Sequence, residues 1–247
     1  MISTAYYDLL LEGLDCSLRI ERLVHGISWT AAVLSDGRTG VAMHTTGEGM
    51  PRLFADGLEG QPLRRAAEAM LSWNLEEASE AFAAVNAFYN CETCGFLAPE
   101  AKTLDDIDLK EKTVGMVGYM IGHSNITPEL LASASKLYVM DREDKAGAMP
   151  DSAAEFYLPS CDVVIITGSA AVNKTMPRLL ELCRGAQIVL AGPSVSCCPA
   201  LKELGIFRLN GRVITDPEPM LKEICERKMS VNAFSVPFQL DRVCTEA

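Results

Sequence analysis

The stretch Thr113-Val-Gly-Met-Val-Gly-Tyr-Met-Ile-Gly122 decides the fold of this chain. An apolar run of strand type leads into glycines, and a helix-start signal follows at Thr127-Pro128. Strand, tight turn and helix in this order open a doubly wound α/β domain. The glycines stand as Gly115-x-x-Gly118-x-x-x-Gly122, which differs from the G-x-G-x-x-G pattern of dinucleotide-binding proteins. The stretch therefore predicts the fold clearly and a dinucleotide ligand only weakly.

Apolar runs alternate with helical patterns from this stretch onward. Further strands are predicted at 136–140, 162–167, 187–191 and 205–209, with helices between them. Such alternation is typical of a parallel sheet that is covered by helices. We therefore predict an α/β, Rossmann-like domain over 113–247, whose last residues dock onto its body.

A smaller α+β domain is predicted over residues 1–100. Three strand-like runs form an antiparallel meander, with Asp36-Gly37 as the hairpin turn between the second and the third. Two amphipathic helices follow at about 63–71 and 78–89, and each has one apolar face that the meander can cover. A charged run then separates the two domains, so 101–112 is predicted to be a linker.

The composition excludes several functional classes. Of the 247 residues, 49% are hydrophobic and 22% are charged, as in an ordinary globular protein. The formal net charge of -11 argues against a nucleic-acid partner, because phosphate contacts need clustered Lys and Arg. No apolar stretch approaches the ~20 residues of a membrane span, and the first residues lack the features of a signal peptide. No membrane partner is expected, a cytoplasmic location is predicted, and a homo-oligomer stays open.

Small polar residues follow four predicted strands of the parallel sheet. In open sheets the ligand lies beyond the carboxyl ends of the strands, and glycines let it approach the backbone. Asp141 lies 23 residues after Gly118, about where a nucleotide-binding fold places its ribose-binding acid. The residues predicted to line this edge are Gly118, Tyr119, Asp141, Thr167, Gly168, Ser169, Asn173, Thr175, Gly192, Pro193 and Ser194.

Two residues of the first domain are candidates to reach the same cleft. Asn86 lies at the edge of the apolar face of its helix, where a buried amide must find partners. A polar pair with Asn90 at the helix end is the alternative interpretation. His44 ends the third strand beside a glycine-rich loop. Amides and hydroxyls suit the orientation of a ligand better than nucleophilic attack, and no Ser/His/Asp set is recognisable.

Nine cysteines are scattered along the chain and are expected to be free thiols. Cys91-x-x-Cys94 ends the second helix, and Cys197-Cys198 begins a helix after the fourth parallel strand. A lone C-x-x-C supplies two ligands, whereas structural zinc needs four. Vicinal cysteines are more often incidental than chelating, so all four are weak candidates for metal ligands.

Several of these pieces together resemble a bacterial and archaeal family of unknown function that is described as a putative heavy-metal chelation domain. The resemblance covers essentially the whole chain. It implies an enolase-N-terminal-like domain followed by a Rossmann-like domain, with the site in the cleft between them and a role in handling metals or metal-binding small molecules. The pieces are Val114-Gly-Met-Val-Gly-Tyr119, Asp162-Val-Val-Ile-Ile-Thr-Gly-Ser169 with Asn173 and Thr175, Gly192-Pro-Ser194, and Val85-Asn-Ala87 with Asn90.

The leading hypothesis is a protein that binds or processes a small, metal-chelating molecule in the interdomain cleft, and whether it is an enzyme is left open. An enzyme that uses NAD or S-adenosylmethionine is the first alternative. A non-catalytic, cysteine-based metal-binding protein is the second, and a regulatory or structural subunit with a vestigial site is the third. The cofactor therefore stays open between a transition metal and a nucleotide-like ligand.

Overall fold

The computed structural model describes residues 4–46, 49–91, 103–104, 106–123, 126–226 and 231–241. These residues form a three-stranded antiparallel sheet and a seven-stranded, mostly parallel sheet. This arrangement confirms the predicted fold class, a parallel-sheet unit preceded by a smaller α+β unit. None of the helices in these ranges is long and apolar enough to cross a membrane.

The first part of the chain forms the small sheet and the helices that cover its inner face. Asp36-Gly37 makes the predicted hairpin turn, in which Gly37 has a φ of 86°, a conformation that glycine adopts without strain. The first predicted amphipathic helix is a short α-helix that continues as a 3-10 helix. The elements are α1 (Ala5–Glu12), β1 (Ile20–His25), β2 (Trp29–Leu34), β3 (Thr39–Met43), α2 (Leu63–Ala66) and α3 (Leu75–Tyr89).

Helix α3 packs on β3 so closely that one position of the strand admits no side chain. Asn74 starts the helix by accepting a hydrogen bond from the backbone N–H of Glu77. A Cβ atom on Gly40 would lie 2.1 Å from the backbone nitrogen of Ala87 and 2.5 Å from the carbonyl oxygen of Ala83. The helix and the strand therefore meet backbone to backbone, and this contact sets the distance between α3 and the small sheet.

The second part of the chain forms the large sheet and its covering helices. Its elements are β4 (Thr113–Val117), α4 (Pro128–Leu131), β5 (Lys136–Asp141), β6 (Met149–Pro150), α5 (Ala154–Tyr157), β7 (Val163–Thr167), α6 (Ser169–Val172), α7 (Met176–Leu182), β8 (Gln187–Ala191), β9 (Ile206–Ile214), α8 (Pro217–Cys225) and β10 (Ser235–Asp241).

The strand order of the large sheet is β10-β9-β8-β7-β4-β5-β6. The chain starts at β4, moves outward through β5 and β6, and returns to β7 on the other side of β4. This reversal creates a topological switch point between β4 and β7, where Rossmann-like sheets open a crevice at their carboxyl edge.

The last parallel strand is longer than predicted. Asn210 of β9 still pairs with Ala191 of β8, but the residues beyond it are held by β10, which pairs antiparallel with residues 208–214 of β9. The segment that was expected to dock on the body thus becomes the edge strand of the sheet. β9 ends more than twenty residues before β10 begins, so no local sequence pattern predicts the greater length of β9.

The outer face of the small sheet is covered by the C-terminal part of the chain. Ile224 of α8 packs with Ala31 and Val41 in one hydrophobic cluster. A Cβ atom on Gly26 would lie 2.7 Å from the carbonyl oxygen of Ile224. The small sheet is therefore enclosed by α3 on one face and by α8 on the other. The domain boundaries given above stay a prediction. Between α3 and β4 the structure describes residues 90–91, 103–104 and 106–112.

We expect that Gly40→Ala strongly destabilises the protein, because the added methyl group would meet backbone atoms that cannot turn away. The expected loss is roughly 3 kcal/mol in the free energy of unfolding, measured by urea denaturation. Gly13→Ala is the matched control, since its Cβ would meet the hydroxyl end of the Tyr89 side chain at 2.6 Å. Equal losses for the two variants would contradict the backbone contact.

Candidate functional site

The loop that follows β8 is bound to the end of α3 by the side chain of Asn90. Its Nδ2 donates to the carbonyl oxygen of Val195 at 2.7 Å, and its Oδ1 accepts from the backbone N–H of Cys197 at 2.8 Å. Asn90 is buried at 2% exposure. Both ends of this buried amide are paired with backbone groups, as neighbouring strands pair in a sheet. Asn90 therefore fixes the loop against the helix.

Asn86, one turn earlier on α3, makes a second link of the same kind. Its Nδ2 donates to the carbonyl oxygen of Val41 at 2.8 Å, and its Oδ1 accepts from the Ser196 hydroxyl at 2.5 Å. The Ser194 hydroxyl accepts from the backbone N–H of Met43 at 2.8 Å. Asn86 and Ser194 thereby satisfy backbone groups along the free edge of β3. The role of both residues in binding a ligand stays a prediction, and the structure gives their polar atoms partners within the protein.

At the carboxyl edge of the sheet, the predicted residues pack the strand ends together. A Cβ atom on Gly118, whose φ is 87°, would lie 2.7 Å from Cγ2 of Thr167. A Cβ atom on Gly168 would lie 2.5 Å from the carbonyl carbon of Ser194. These two glycines therefore let three neighbouring loops approach one another.

Asp141 fixes the turn after β4. Its Oδ2 accepts from the backbone N–H of Tyr119 at 2.6 Å, and its Oδ1 accepts from the N–H of Glu143 at 2.8 Å. Each carboxylate oxygen keeps further lone pairs. Asp141 therefore positions the loop of the switch point and retains acceptor capacity for a ligand.

The remaining predicted residues of this edge form short local contacts. Thr167 and Ser169 share a hydrogen bond between their hydroxyls at 3.1 Å, and Thr175 donates its hydroxyl to Oδ1 of Asn173 at 2.6 Å. Gly192 has a φ of 107° with open space on its Cβ side, and Pro193 is half-buried. Hydroxyls and amides in these places can orient a ligand but provide no activated nucleophile.

Lys174 is a group that sequence reasoning missed. It adopts a left-handed conformation with a φ of 70°, which is uncommon for a residue other than glycine. Its Nζ donates to the carbonyl oxygen of Val172 at 3.0 Å and lies 5.9 Å from the ring centroids of Tyr7 and Phe82. Burial lowers the pKa of Lys174 to about 8. The lysine therefore sits in the contact between α6 and the helices of the first unit.

A cavity of about 340 Å³ opens beside the loop that follows β4. It is lined on one side by residues that start four positions after Gly118, and by Arg212 of β9 and Pro237 of β10. None of the residues predicted for the ligand cleft lines it. The lining residues are Gly122, His123, Ile126, Thr127, Arg212, Asn232 and Pro237.

Arg212 supplies the positive charge of this cavity. Its Nε donates to the Ser235 hydroxyl at 2.7 Å, and its Nη2 donates to the Ser235 carbonyl oxygen at 3.1 Å. Over the ranges that the structure describes, Nη1 has no hydrogen-bond partner. Burial lowers the pKa of Arg212, because surroundings of low polarity disfavour the charged guanidinium. An anion beside Nη1 would offset that cost and complete the hydrogen bonding of the side chain.

The described cysteines do not assemble a metal centre. Cys197 and Cys198 are buried at 2% exposure, and their sulfurs point to different partners, the carbonyl oxygens of Phe238 and Leu9, each at 3.9 Å. The thiol of Cys91 accepts from Nη1 of Arg38 at 3.8 Å. Cys94 lies outside the described residues. Within those residues, no three or more His, Cys, Asp or Glu side chains are arranged to hold a metal ion.

Among the described residues, the polar and ring contacts of the His44 imidazole lie within the first unit. Its Nδ1 shares a hydrogen bond with the Thr30 hydroxyl at 3.0 Å, and its ring centroid lies 6.1 Å from that of His25. Nε2 of His25 in turn contacts Oε1 of Glu80 on α3 at 3.0 Å. The third predicted strand therefore delivers His44 to a histidine pair inside the first unit, and its role in the cleft stays a prediction.

Comparison with protein families gives matches to both parts of the chain. A family model described as "Putative heavy-metal chelation" matches residues 103–235, and a second model with the same description matches residues 7–89. An uncharacterised protein of Methanocaldococcus jannaschii is 29% identical over an alignment of 160 residues that covers 61% of this chain. The match spans 60% of the length of that curated relative.

Two solved structures share the fold over nearly the full chain. A protein of unknown function from the DUF364 family of Desulfitobacterium hafniense is 28% identical, with a TM-score of 0.83 over 96% of this chain and 98% of its own. A protein of unknown function from the same family of Pyrococcus horikoshii is 22% identical, with a TM-score of 0.77 over 98% of this chain and 100% of its own. The second likeness supports the fold alone.

We expect that Asn90→Ala costs about 2–5 kcal/mol of unfolding free energy, because it leaves a buried carbonyl oxygen and a buried N–H without partners. Urea denaturation measures this loss. Asn173→Ala is the control, since its partner Thr175 is half-buried and can bond to water; its loss should stay within about 1 kcal/mol. A loss below about 1 kcal/mol for Asn90→Ala would show that the loop is held by other contacts.

Proposed function

The chain belongs to the family described as "Putative heavy-metal chelation", and from this premise we propose that it binds a small anionic molecule of metal-chelating type in the Arg212 cavity. Molecules that chelate metals present carboxylates or similar oxygen donors, and such groups are recognised by arginine. The free Nη1 of the half-buried Arg212 is the observation that carries the proposal. The cavity lies within the second unit, so neither Asn86 nor His44 is needed to line it.

The other lining groups suit the same class of ligand. His123 is exposed, and Asn232, whose backbone carbonyl oxygen accepts from Nη2 of Arg212 at 3.4 Å, offers a side-chain amide beside the arginine. Gly122 has a φ of 83° and no side chain, so a ligand can approach the backbone there. A volume of about 340 Å³ matches the small end of the range for small-molecule sites. The set favours binding and orientation rather than covalent chemistry.

A nucleotide ligand is the second candidate, and the sheet order supports it. The crevice between β4 and β7 is where dinucleotides bind in this topology. Asp141 is the last residue of β5, the strand beside β4. Its carboxylate keeps lone pairs for ribose hydroxyls. The glycine spacing after β4 does not reproduce the phosphate-binding fingerprint, so this candidate ranks below the anionic chelator. Cysteine-based metal binding gains no support from the buried and divergent thiols described above.

We expect citrate, used as a tricarboxylate probe, to bind the wild-type protein in isothermal titration calorimetry, and Arg212→Gln to weaken that binding roughly 10- to 100-fold. The reason is the loss of a charge-assisted hydrogen bond worth about 1.5–3 kcal/mol. Arg22→Gln is the matched control, because Arg22 pairs with Glu218 on the surface at 2.5 Å.

A second control separates binding from folding. Ser235→Ala removes the hydroxyl that holds Nε of Arg212 but keeps the charge, so it should retain most of the citrate affinity. If Arg212→Gln and Arg22→Gln weakened citrate binding equally, the effect would depend only on the total positive charge of the protein. Absence of citrate binding to the wild type at ~10 mM would remove the polycarboxylate assignment.

The nucleotide candidate makes its own prediction. NAD or S-adenosylmethionine at about 100 times its dissociation constant should stabilise the native protein by ~2.7 kcal/mol, seen as a higher melting temperature. Asp141→Asn should reduce that shift, since a neutral amide is a weaker acceptor for ribose hydroxyls. Unchanged melting with both compounds at millimolar concentration would eliminate this candidate.

A further inference from the structure

Two histidines that are distant in sequence meet on the inner side of the small sheet. His25 ends β1 and pairs with Thr30 of β2, while the backbone N–H of His44 bonds to Ser28 just before β2. The antiparallel register therefore brings the two rings together, with centroids 6.1 Å apart and planes inclined by 73°. The Arg212 cavity does not include either ring.

Each imidazole is fixed through one nitrogen, which leaves the other nitrogen available. Nε2 of His25 contacts Oε1 of Glu80 at 3.0 Å, and Nδ1 of His44 contacts the Thr30 hydroxyl at 3.0 Å. Across the described part of the chain, Nδ1 of His25 and Nε2 of His44 have no hydrogen-bond partner. Metal-binding histidines are oriented in this way, with one ring nitrogen bonded to an oxygen and the other facing the ion.

The charges around the pair favour a cation. The side chain of Glu80 is nearly fully buried, and its carboxylate also pairs with the guanidinium of Arg52. Glu77 accepts the backbone N–H groups of Leu53 and Phe54. Glu76 lies one turn before Glu80 on α3 and within electrostatic reach of both rings. The carboxylates of Glu76, Glu77 and Glu80 therefore outnumber the single guanidinium of Arg52 in this region.

We propose that His25 and His44 together bind one divalent first-row transition metal ion, such as Zn²⁺, Co²⁺ or Ni²⁺, through Nδ1 and Nε2 respectively. An ion about 2.1 Å from each nitrogen places the two ring centroids about 5.3 Å apart at a tetrahedral angle and at most roughly 6.5 Å apart. The rings, which are 6.1 Å apart, would therefore approach each other by under ~1 Å to form a tetrahedral site. Imidazole is a preferred ligand of these ions.

Such a site would supply only two protein ligands to the ion. No third His, Cys, Asp or Glu of the described residues joins the pair as a ligand set. The remaining coordination positions are therefore open to water or to an oxygen donor from a small molecule. Open positions are typical of sites where a metal is exchanged or reacts, whereas structural sites are closed by four protein ligands. This inference goes beyond the proposed function, because it concerns a different part of the molecule.

Titration with Co²⁺ tests the proposal, since its visible spectrum distinguishes nitrogen and oxygen ligands from thiolates. We expect the wild-type protein to bind one Co²⁺ without a thiolate charge-transfer band. His44→Ala and His25→Ala should each weaken binding at least 10-fold. His123→Ala is the matched control and should bind like the wild type, because His123 lies on the loop after β4.

Further variants keep the test decisive if His25→Ala disturbs the ion pairs of Glu80. Thr30→Val retains both imidazoles but removes the hydroxyl that orients His44, and it should weaken binding about 10-fold. Arg212→Gln should leave Co²⁺ binding unchanged, which separates this site from the anion cavity. Wild-type affinity in His44→Ala, a thiolate band in the spectrum, or no bound Co²⁺ would each overturn the proposal.

Discussion

The two sheets of this molecule are joined by two buried asparagines that lie one turn apart on α3. Asn86 and Asn90 exchange hydrogen bonds with the edge of β3 and with the loop after β8, where water cannot replace a lost partner. Leaving such groups unpaired costs more than the bonds contribute when they form, so the contact is specific as well as stabilising. A Cβ atom on Gly211 would lie 3.0 Å from Nδ2 of Asn90, so the neighbouring strand is shaped to the same contact.

This constraint also explains how the edge of the small sheet is protected. An unpaired strand edge is a template for association with other chains. Here Val41 and Met43 direct backbone groups toward side chains of Asn86 and Ser194 instead of toward a further strand. The loop after β8 is therefore placed by the first unit, although it ends a strand of the second. The carboxyl edge of the large sheet is built jointly by both parts of the chain.

Local patterns were sufficient to predict the fold class, because strand and helix periodicity, the Asp36-Gly37 turn and the Thr127-Pro128 start are short-range signals. The length of β9 and the cover that α8 gives to the small sheet were not predictable, since both depend on residues far apart in sequence. The candidate site divides in the same way. Asp141 and Gly118 follow a strand at once and are recognisable there. In the sequence alone, Arg212 resembles an exposed strand residue. Only the pairing of β9 with β10 shows that it is half-buried. His25 and His44 are likewise united by antiparallel register alone.

The enclosure of the small sheet by α8 has a consequence for the ribosome-bound chain. The strands of this sheet are made first, but Met220, Leu221 and Ile224, which cover its outer face, follow the end of β3 by 220 − 43 = 177 residues or more. Chains grow at about 5–20 residues per second, so this apolar face stays uncovered for roughly ten seconds or longer. During that interval the nascent chain presents the kind of surface that chaperones recognise. A truncated product that ends before α8 would leave this apolar face permanently uncovered.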